Sequence, residues 1–182
     1  EHHFMTKRFD RVEGKKIHMQ SLGALAHISY KEPGLYSYEM AAQYMKEIGL
    51  SVQEIEQFFH RMVFNCLAVN QDDHVKNVSF LMNRNGAWSL SPAYDITFSY
   101  NPTNKWLRAH QMSINQKNSS VELQDLVETA LKMGIKKGKA MNIIAQITRV
   151  VADFQKYAME AGIREKTYCD IQRVLEQNKV EI

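Results

Sequence analysis

Asn70-Gln71-Asp72-Asp73-His74-Val75-Lys76-Asn77, then Val78 to Leu90, then Ser91-Pro92-Ala93-Tyr94-Asp95 is the stretch from which the rest of the fold can be read. Its flanks gather three Asp, one His, one Lys and two Asn around a short apolar ribbon. A helical pattern precedes Asn70, so the first cluster follows a helix C-terminus. Val78-Ser79-Phe80-Leu81-Met82 alternates weakly and favours a strand. Asn83-Arg84-Asn85-Gly86 reads as a turn, with Gly86 free to take positive φ, and Ala87-Trp88-Ser89-Leu90 returns as the partner strand.

A turn centred near Arg84 and Asn85 sets Asn77 roughly opposite Pro92, with Asp95 one short step further on. A carboxylate and an amide oxygen would then share one end of the ribbon, and Asp72 would hang on the loop beside them. Hard oxygen ligands of this kind suit Mg²⁺, which one or two protein groups hold together with substrate phosphates. Taken singly, each Asp or Asn reads as turn chemistry, because both bond their own backbone and tolerate the left-handed region. Their convergence at one hairpin mouth points to a site. Asp72 precedes Asn77 by five positions, the interval between the base and the metal-binding Asn of a kinase catalytic loop, and a second Asp follows a hairpin later.

The pattern Asn70-x-Asp72-x-His74-x-Lys76-Asn77, with Leu90-Ser91-Pro92-Ala93-Tyr94-Asp95 and Phe4-Met5-Thr6-Lys7-Arg8-Phe9-Asp10-Arg11, resembles the HipA family of bacterial toxin kinases. The resemblance implies a mostly α fold with a small β-hairpin, the C-terminal helical lobe of a protein-kinase-like molecule, occupying residues 1–182 as one domain. The short form is similar to the HipT branch of three-component systems. Implied too is a serine/threonine protein kinase toxin that uses ATP and Mg²⁺ to phosphorylate an aminoacyl-tRNA synthetase, of the tryptophanyl or glutamyl type. Its implied partners are a HipB-like DNA-binding antitoxin and, in the HipT branch, a HipS-like small protein. In this scheme Asp72 accepts the proton of the substrate hydroxyl or orients it, and Asn77 and Asp95 hold the metal. Phe9, Asp10 and Gln20 match positions beside the nucleotide. Lys76 could neutralise the γ-phosphoryl charge, or simply be exposed. For Asp10 the plainer alternative is a surface ion pair with Arg8 or Arg11. His74 is expected as a structural hydrogen bonder, Asp73 as loop structure facing away from Asp72, and Tyr94 as packing beneath Asp95.

In the resembled family a further lobe carries a phosphate-gripping loop and a Lys that contacts ATP. The sequence from Glu1 onward shows neither, so the chain is expected to be a piece of such a kinase, with little activity alone. Two other readings stay open. A metal-dependent phosphohydrolase could use Asp72, Asp73, His74 and Asp95 as ligands, although no second His-rich cluster accompanies them. A non-catalytic kinase-like interaction module is the other.

Composition sets outer limits. The chain has 182 residues, enough for one domain with a substantial core, and a hydrophobic fraction of 45%, ordinary for a globule. A net charge of +3 gives no reason to expect direct nucleic-acid binding. Cys66 falls in an apolar helical pattern and Cys169 has no ligand partner at a metal-site spacing, so a reducing, cytoplasmic setting is expected. No apolar run approaches the ~20 residues of a membrane span, and no signal-peptide pattern appears.

Helical spacing places the remaining elements. Ser37 caps a helix over about 38–48, and Ser51-Val52-Gln53-Glu54 is a capping box opening a broad apolar face down to Leu67. Leu22 to Ser37 reads as loop. Asn101 to Asn118 is polar with few apolar anchors, either an activation segment and substrate surface, as the resemblance implies, or a plain connection. Ser119-Ser120-Val121-Glu122 predicts a second capping box, followed by a helix that Gly134 stops. A long helix over roughly 139–160 and a last one over 167–177 complete the expectation.

Overall fold

The computed structural model describes residues 3 and 5–181; Phe4, part of the N-terminal motif, lies outside them. Seven helices and five short strands are assigned among these residues. The N-terminal segment forms a small hairpin, β1 (Arg11–Val12) with β2 (Lys15–Lys16). Gly14, at φ +75°, turns it. Next come β3 (His18–Ser21) and a one-turn helix, α1 (Leu22–Leu25), in a stretch that reads as loop in the sequence. Four residues are too few for helical periodicity to show; what fixes α1 is Ser21, whose Oγ accepts from the Ala24 amide at 3.2 Å.

α2 (Tyr38–Glu47) and α3 (Val52–Leu67) follow the expected bounds closely. Ser37 Oγ accepts from the Met40 amide, and the Ser51–Glu54 capping box is complete. Glu54 does more than cap. Its Oε2 accepts from the Ser51 amide at 2.8 Å, while its Oε1 accepts from the Leu90 amide, also at 2.8 Å. One carboxylate thus fastens the start of α3 to the returning strand of the ribbon.

That ribbon is β4 (Ser79–Met82) and β5 (Trp88–Leu90), antiparallel with Phe80 opposite Leu90. The turn is one residue wider than expected and centres on Asn85: Asn83 Oδ1 accepts from the amides of Asn85 and Ala87, and Gly86 takes φ +81°. Extended outward, this register sets Asn77 opposite Ala93 rather than Pro92. β3 pairs antiparallel with β4, Gln20 opposite Phe80, making a three-stranded sheet in the order β3-β4-β5.

α4 (Leu123–Met133) starts later than the Ser119 box predicts. Asp125 supplies the reciprocal contact instead, accepting from the Glu122 amide at 2.8 Å, with Lys117 at 2.7 Å on the same carboxylate oxygen. Gly134 ends the helix in the left-handed region at φ +89°. The long helix divides into α5 (Lys137–Ala152) and α6 (Phe154–Glu160), with Asp153 between them. Its apolar stripe runs on across the break because α6 turns to α7 (Glu165–Gln177), where Phe154 stacks on Tyr168 at 5.8 Å.

α3 is the axis of the core. Phe58, Phe59, Met62 and Val63 are fully buried, and the helix packs against α2, α4 and α5. Ala41, Ala42 and Met45 of α2 face it, as do Ile143, Ile144 and Ile147 of α5. Burying each large side chain contributes about 1.5–3 kcal/mol, which makes α3 a rigid support for whatever follows Leu67. Among the described residues no helix is long and apolar enough to cross a membrane.

Candidate active site

Three features aim the loop after α3. Val69 adopts φ +55°, a left-handed conformation that a β-branched residue rarely accepts. Its carbonyl takes the Ser99 amide at 3.1 Å, while the Gln71 amide donates to the Ser99 carbonyl at 2.9 Å. The chain therefore leaves the helix sharply and is tied at once to the segment beyond Asp95. At the other end, Asn77 closes a turn by donating its amide to the His74 carbonyl at 2.8 Å.

Within this loop the side chains divide by direction. Asp73 points inward, its side chain wholly buried. Its carboxylate accepts from the Tyr38 hydroxyl at 2.7 Å, from His110 Nδ1 at 2.9 Å and from the Gln111 amide at 2.7 Å. Asp72 lies half-buried on the other side, its closest ionic neighbour His74 Nε2 at 3.7 Å. The expectation that the two carboxylates face apart holds, and Asp73 proves to be an organising centre of the buried interior. Burial raises the Asp72 carboxyl above its ordinary range; the negative charges of Asp95 and Asp73 add to this, while His74 and Lys76 oppose it.

Asn77 and Asp95 line one small cleft, together with Asn65, Asn70, His74, Arg61 and Val78. The Asn77 amide nitrogen donates to the Asp72 carbonyl at 2.9 Å, which leaves its Oδ1 as the atom free for a cation. Asp95, at φ +53°, forms no hydrogen bond or ion pair through its carboxylate among the described residues. Asn70 donates to the Asn65 Oδ1 at 3.0 Å and to the Asp95 carbonyl at 3.4 Å, and its own Oδ1 is buried without a partner. Unused oxygens from Asn77, Asp95 and Asn70 around one cleft fit a hard cation such as Mg²⁺, which takes few protein ligands and keeps its waters or phosphates. Among the described residues no cluster of three or more His, Cys, Asp or Glu could hold a metal by itself.

Tyr94 ties this end of the ribbon to the loop before it. Its hydroxyl donates to the Lys76 carbonyl at 2.5 Å and, its one proton so used, receives the Ser79 hydroxyl. Phe9 lies beside Tyr94 with ring centroids 5.9 Å apart, so the N-terminal segment reaches the site through its aromatic residue. Asp10 does not present a free carboxylate. Arg8 grips it through two hydrogen bonds, at 2.8 and 2.6 Å, and Arg11 bonds it as well. The hydrogen bond from Arg8 holds its carboxyl down at about 2, against the opposing effect of burial. The ion-pair alternative is what the structure shows.

The other candidates are more scattered. Gln20 lies in β3 opposite Phe80 and does not line the Asn77–Asp95 cleft. Lys76 is exposed, its ammonium parked 3.5 Å above the centroid of the Tyr30 ring. The His74 side chain makes no hydrogen bond among the described residues: its Nδ1 is buried without a partner, and 3.7 Å from Nε2 to Asp72 is too long for one. The expected structural hydrogen bonder is therefore an edge-on neighbour of Tyr30, at 6.3 Å.

His110 was not singled out in the sequence, nor were Tyr38, Asn65 or Arg61. Arg61 donates to the Ser91 carbonyl at 2.6 Å and braces the Pro92–Asp95 turn from α3. The one available signal for Tyr38 and Asn65 was a polar atom falling on an otherwise apolar helical face. The second half of the Asn101–Asn118 stretch is no surface loop. Gln111 and Ser113 bond back to the Gly34–Tyr38 backbone, and Met112 and Ile114 are buried.

Comparison with known proteins matches residues 1–154 to the family model described as HipA-like C-terminal domain. "Putative kinase Y4dM" of Sinorhizobium fredii (strain NBRC 101917 / NGR234) is 32% identical over 94 residues, covering 50% of this chain and 22% of that protein. Among solved structures, a chain of the Shewanella oneidensis MR-1 toxin–antitoxin complex of HipA, HipB and operator DNA superposes with a TM-score of 0.69 at 17% identity. That match covers 94% of this chain and 46% of the other. The chain thus spans under half the length of either, and the structural likeness establishes the fold: mostly α, with small antiparallel sheets, of the HipA kinase-like type.

Proposed function

The chain belongs to the HipA-like C-terminal domain family, and from this premise we propose that it is the catalytic-loop lobe of an ATP- and Mg²⁺-dependent serine/threonine protein kinase. The observation that carries this reading is the convergence of Asn77 and Asp95 on one cleft, with Asp72 near enough to feel the Asp95 charge. When bound, Mg²⁺ would supply positive charge against the phosphates of ATP. The chain's own part is mostly placement. Asn77 Oδ1 and the Asp95 carboxylate would hold the cation. Asp72 orients the substrate alcohol and takes its proton as the new oxygen–phosphorus bond forms and the bond from the γ-phosphorus to the β–γ bridging oxygen breaks, releasing ADP, and its raised affinity for protons suits that task. Lys76, released from Tyr30, can meet the γ-phosphoryl group.

As in the complex that the structural neighbour comes from, the proposed setting is a toxin–antitoxin system with a HipB-like DNA-binding antitoxin. A HipS-like small protein is a further proposed partner. The proposed substrate is a hydroxyl of an aminoacyl-tRNA synthetase, and the proposed location is the cytoplasm, where the free thiols Cys66 and Cys169 fit a reducing medium. The nucleotide's remaining contacts would come from another lobe of the intact protein. A phosphohydrolase with Asp73 as a metal ligand is disfavoured, because that carboxylate is buried and engaged by three donors inside the core.

The test is labelled-ATP transfer by the intact protein carrying Asp72→Gln or Asp95→Asn. Each should lower transfer by about 100-fold or more, the usual contribution of a positioned base or cation ligand. Undiminished labelling in both variants would end the kinase assignment.

A further inference from the structure

Asp73 sits at the start of a chain of hydrogen bonds that ends at Asp95. The Tyr38 hydroxyl donates to Asp73 and accepts from Asn65 Nδ2 at 3.0 Å. Asn65 Oδ1 accepts from Asn70 Nδ2 at 3.0 Å, and the same nitrogen reaches the Asp95 carbonyl at 3.4 Å. Each hydrogen bond along this path has a fixed direction, so a flip of the Asn65 or Asn70 amide would break it. On its far side Asp73 binds the imidazole of His110 and the amide of Gln111, drawing the segment after Asp95 down onto the loop. Tyr38, Asn65, Asn70, Asp73 and His110 are all at least nine-tenths buried, where a lost partner leaves a polar atom without water to replace it.

We propose that Asp73 and His110 are positioning residues: their buried pair, continued through Tyr38, Asn65 and Asn70, sets where Asp72 stands relative to Asp95. The inference rests on the kinase reading above and adds residues that never touch substrate. Neighbours in an extended loop point to opposite sides, so anchoring Asp73 inward turns Asp72 outward. Displacing a reacting group by roughly 1 Å costs about 100-fold in rate without affecting how substrate is bound elsewhere. A core contact of merely structural value would act on folding and on nucleotide binding together.

The experiment compares His110→Phe, His110→Asn and Tyr38→Phe in the intact protein, with circular dichroism to confirm folding and with kcat and the KM for ATP measured separately. Phe at 110 removes the donor to Asp73; Asn restores an N–H close to where Nδ1 lies. His110→Phe should lower kcat about 100-fold with KM for ATP within about threefold, and His110→Asn should recover most of the loss. Tyr38→Phe, which deletes a single oxygen and is the safeguard if His110→Phe does not fold, should cost about 10-fold in kcat. Wild-type kcat in Tyr38→Phe would overturn the proposal if His110→Phe fails to fold. So would wild-type kcat in a folded His110→Phe, or parallel losses of kcat and ATP binding without rescue by Asn. If both Asp72→Gln and Asp95→Asn transfer phosphate as well as wild type, the kinase reading itself falls, and this proposal with it.

Discussion

Burial alone would drive the His110 imidazole below its ordinary range, but the Asp73 carboxylate, by charge and by hydrogen bond, outweighs it and holds the group up at about 10. The sign of the pH effect follows. A histidine raised in the folded state contributes fully below its unfolded value of about 6.5, and that contribution is lost as pH rises from there through the folded value. The stability gap between wild type and His110→Asn, followed by thermal melting, should be widest below about pH 6.5 and narrow as pH rises toward about 10. A gap that widens with pH would show that the imidazole is neutral against Asp73. Single residues were also where the sequence was least legible. Asp72, Asn77 and Asp95 stood out through their spacing, and the structure sets Asn77 and Asp95 around one cleft. Asp10 was readable as a partner of its arginine neighbours. His110 was not readable, because its partner lies 37 residues away and no local pattern marks a histidine for burial.

Caps and stripes made the helices legible: α2 and α3 follow from Ser37, from the Ser51–Glu54 box and from apolar spacing, and the ribbon from Gly86. The missed elements owe their structure to distant partners. β3 is a strand because β4 offers it an edge, and the 110–114 segment is buried because the Gly34–Tyr38 backbone and Asp73 accept it. The α5–α6 break at Asp153 interrupts no apolar periodicity, so spacing could not reveal it. At this scale two substitutions report on the ends of helices. Ser51→Ala removes a side-chain cap and should cost about 1 kcal/mol. Gly134→Ala forces a Cβ into a left-handed residue and should cost about the same. In a chain of this size each corresponds to a fall of about 2–4 °C in Tm. Unchanged melting of either would mean that the corresponding end is held by its tertiary contacts alone.

For the whole molecule, α3 joins what sequence distance separates. Its first turn holds β5 through Glu54, its middle is the core, and its last residue opens the loop that carries Asp72 and Asp73. The fold class was legible through the family resemblance that the polar clusters carry; the third strand and the inward hydrogen-bond path were not, since both depend on how the ends of that helix are packed. The double use of Glu54 carries a consequence for how the molecule breathes. Because one carboxylate closes both contacts, fraying of the helix start and peeling of the ribbon edge become a single opening event. The amide hydrogens of Ser51 and Leu90 should therefore exchange with deuterium at a common protection factor, and Glu54→Ala should split them, releasing Leu90 by about tenfold.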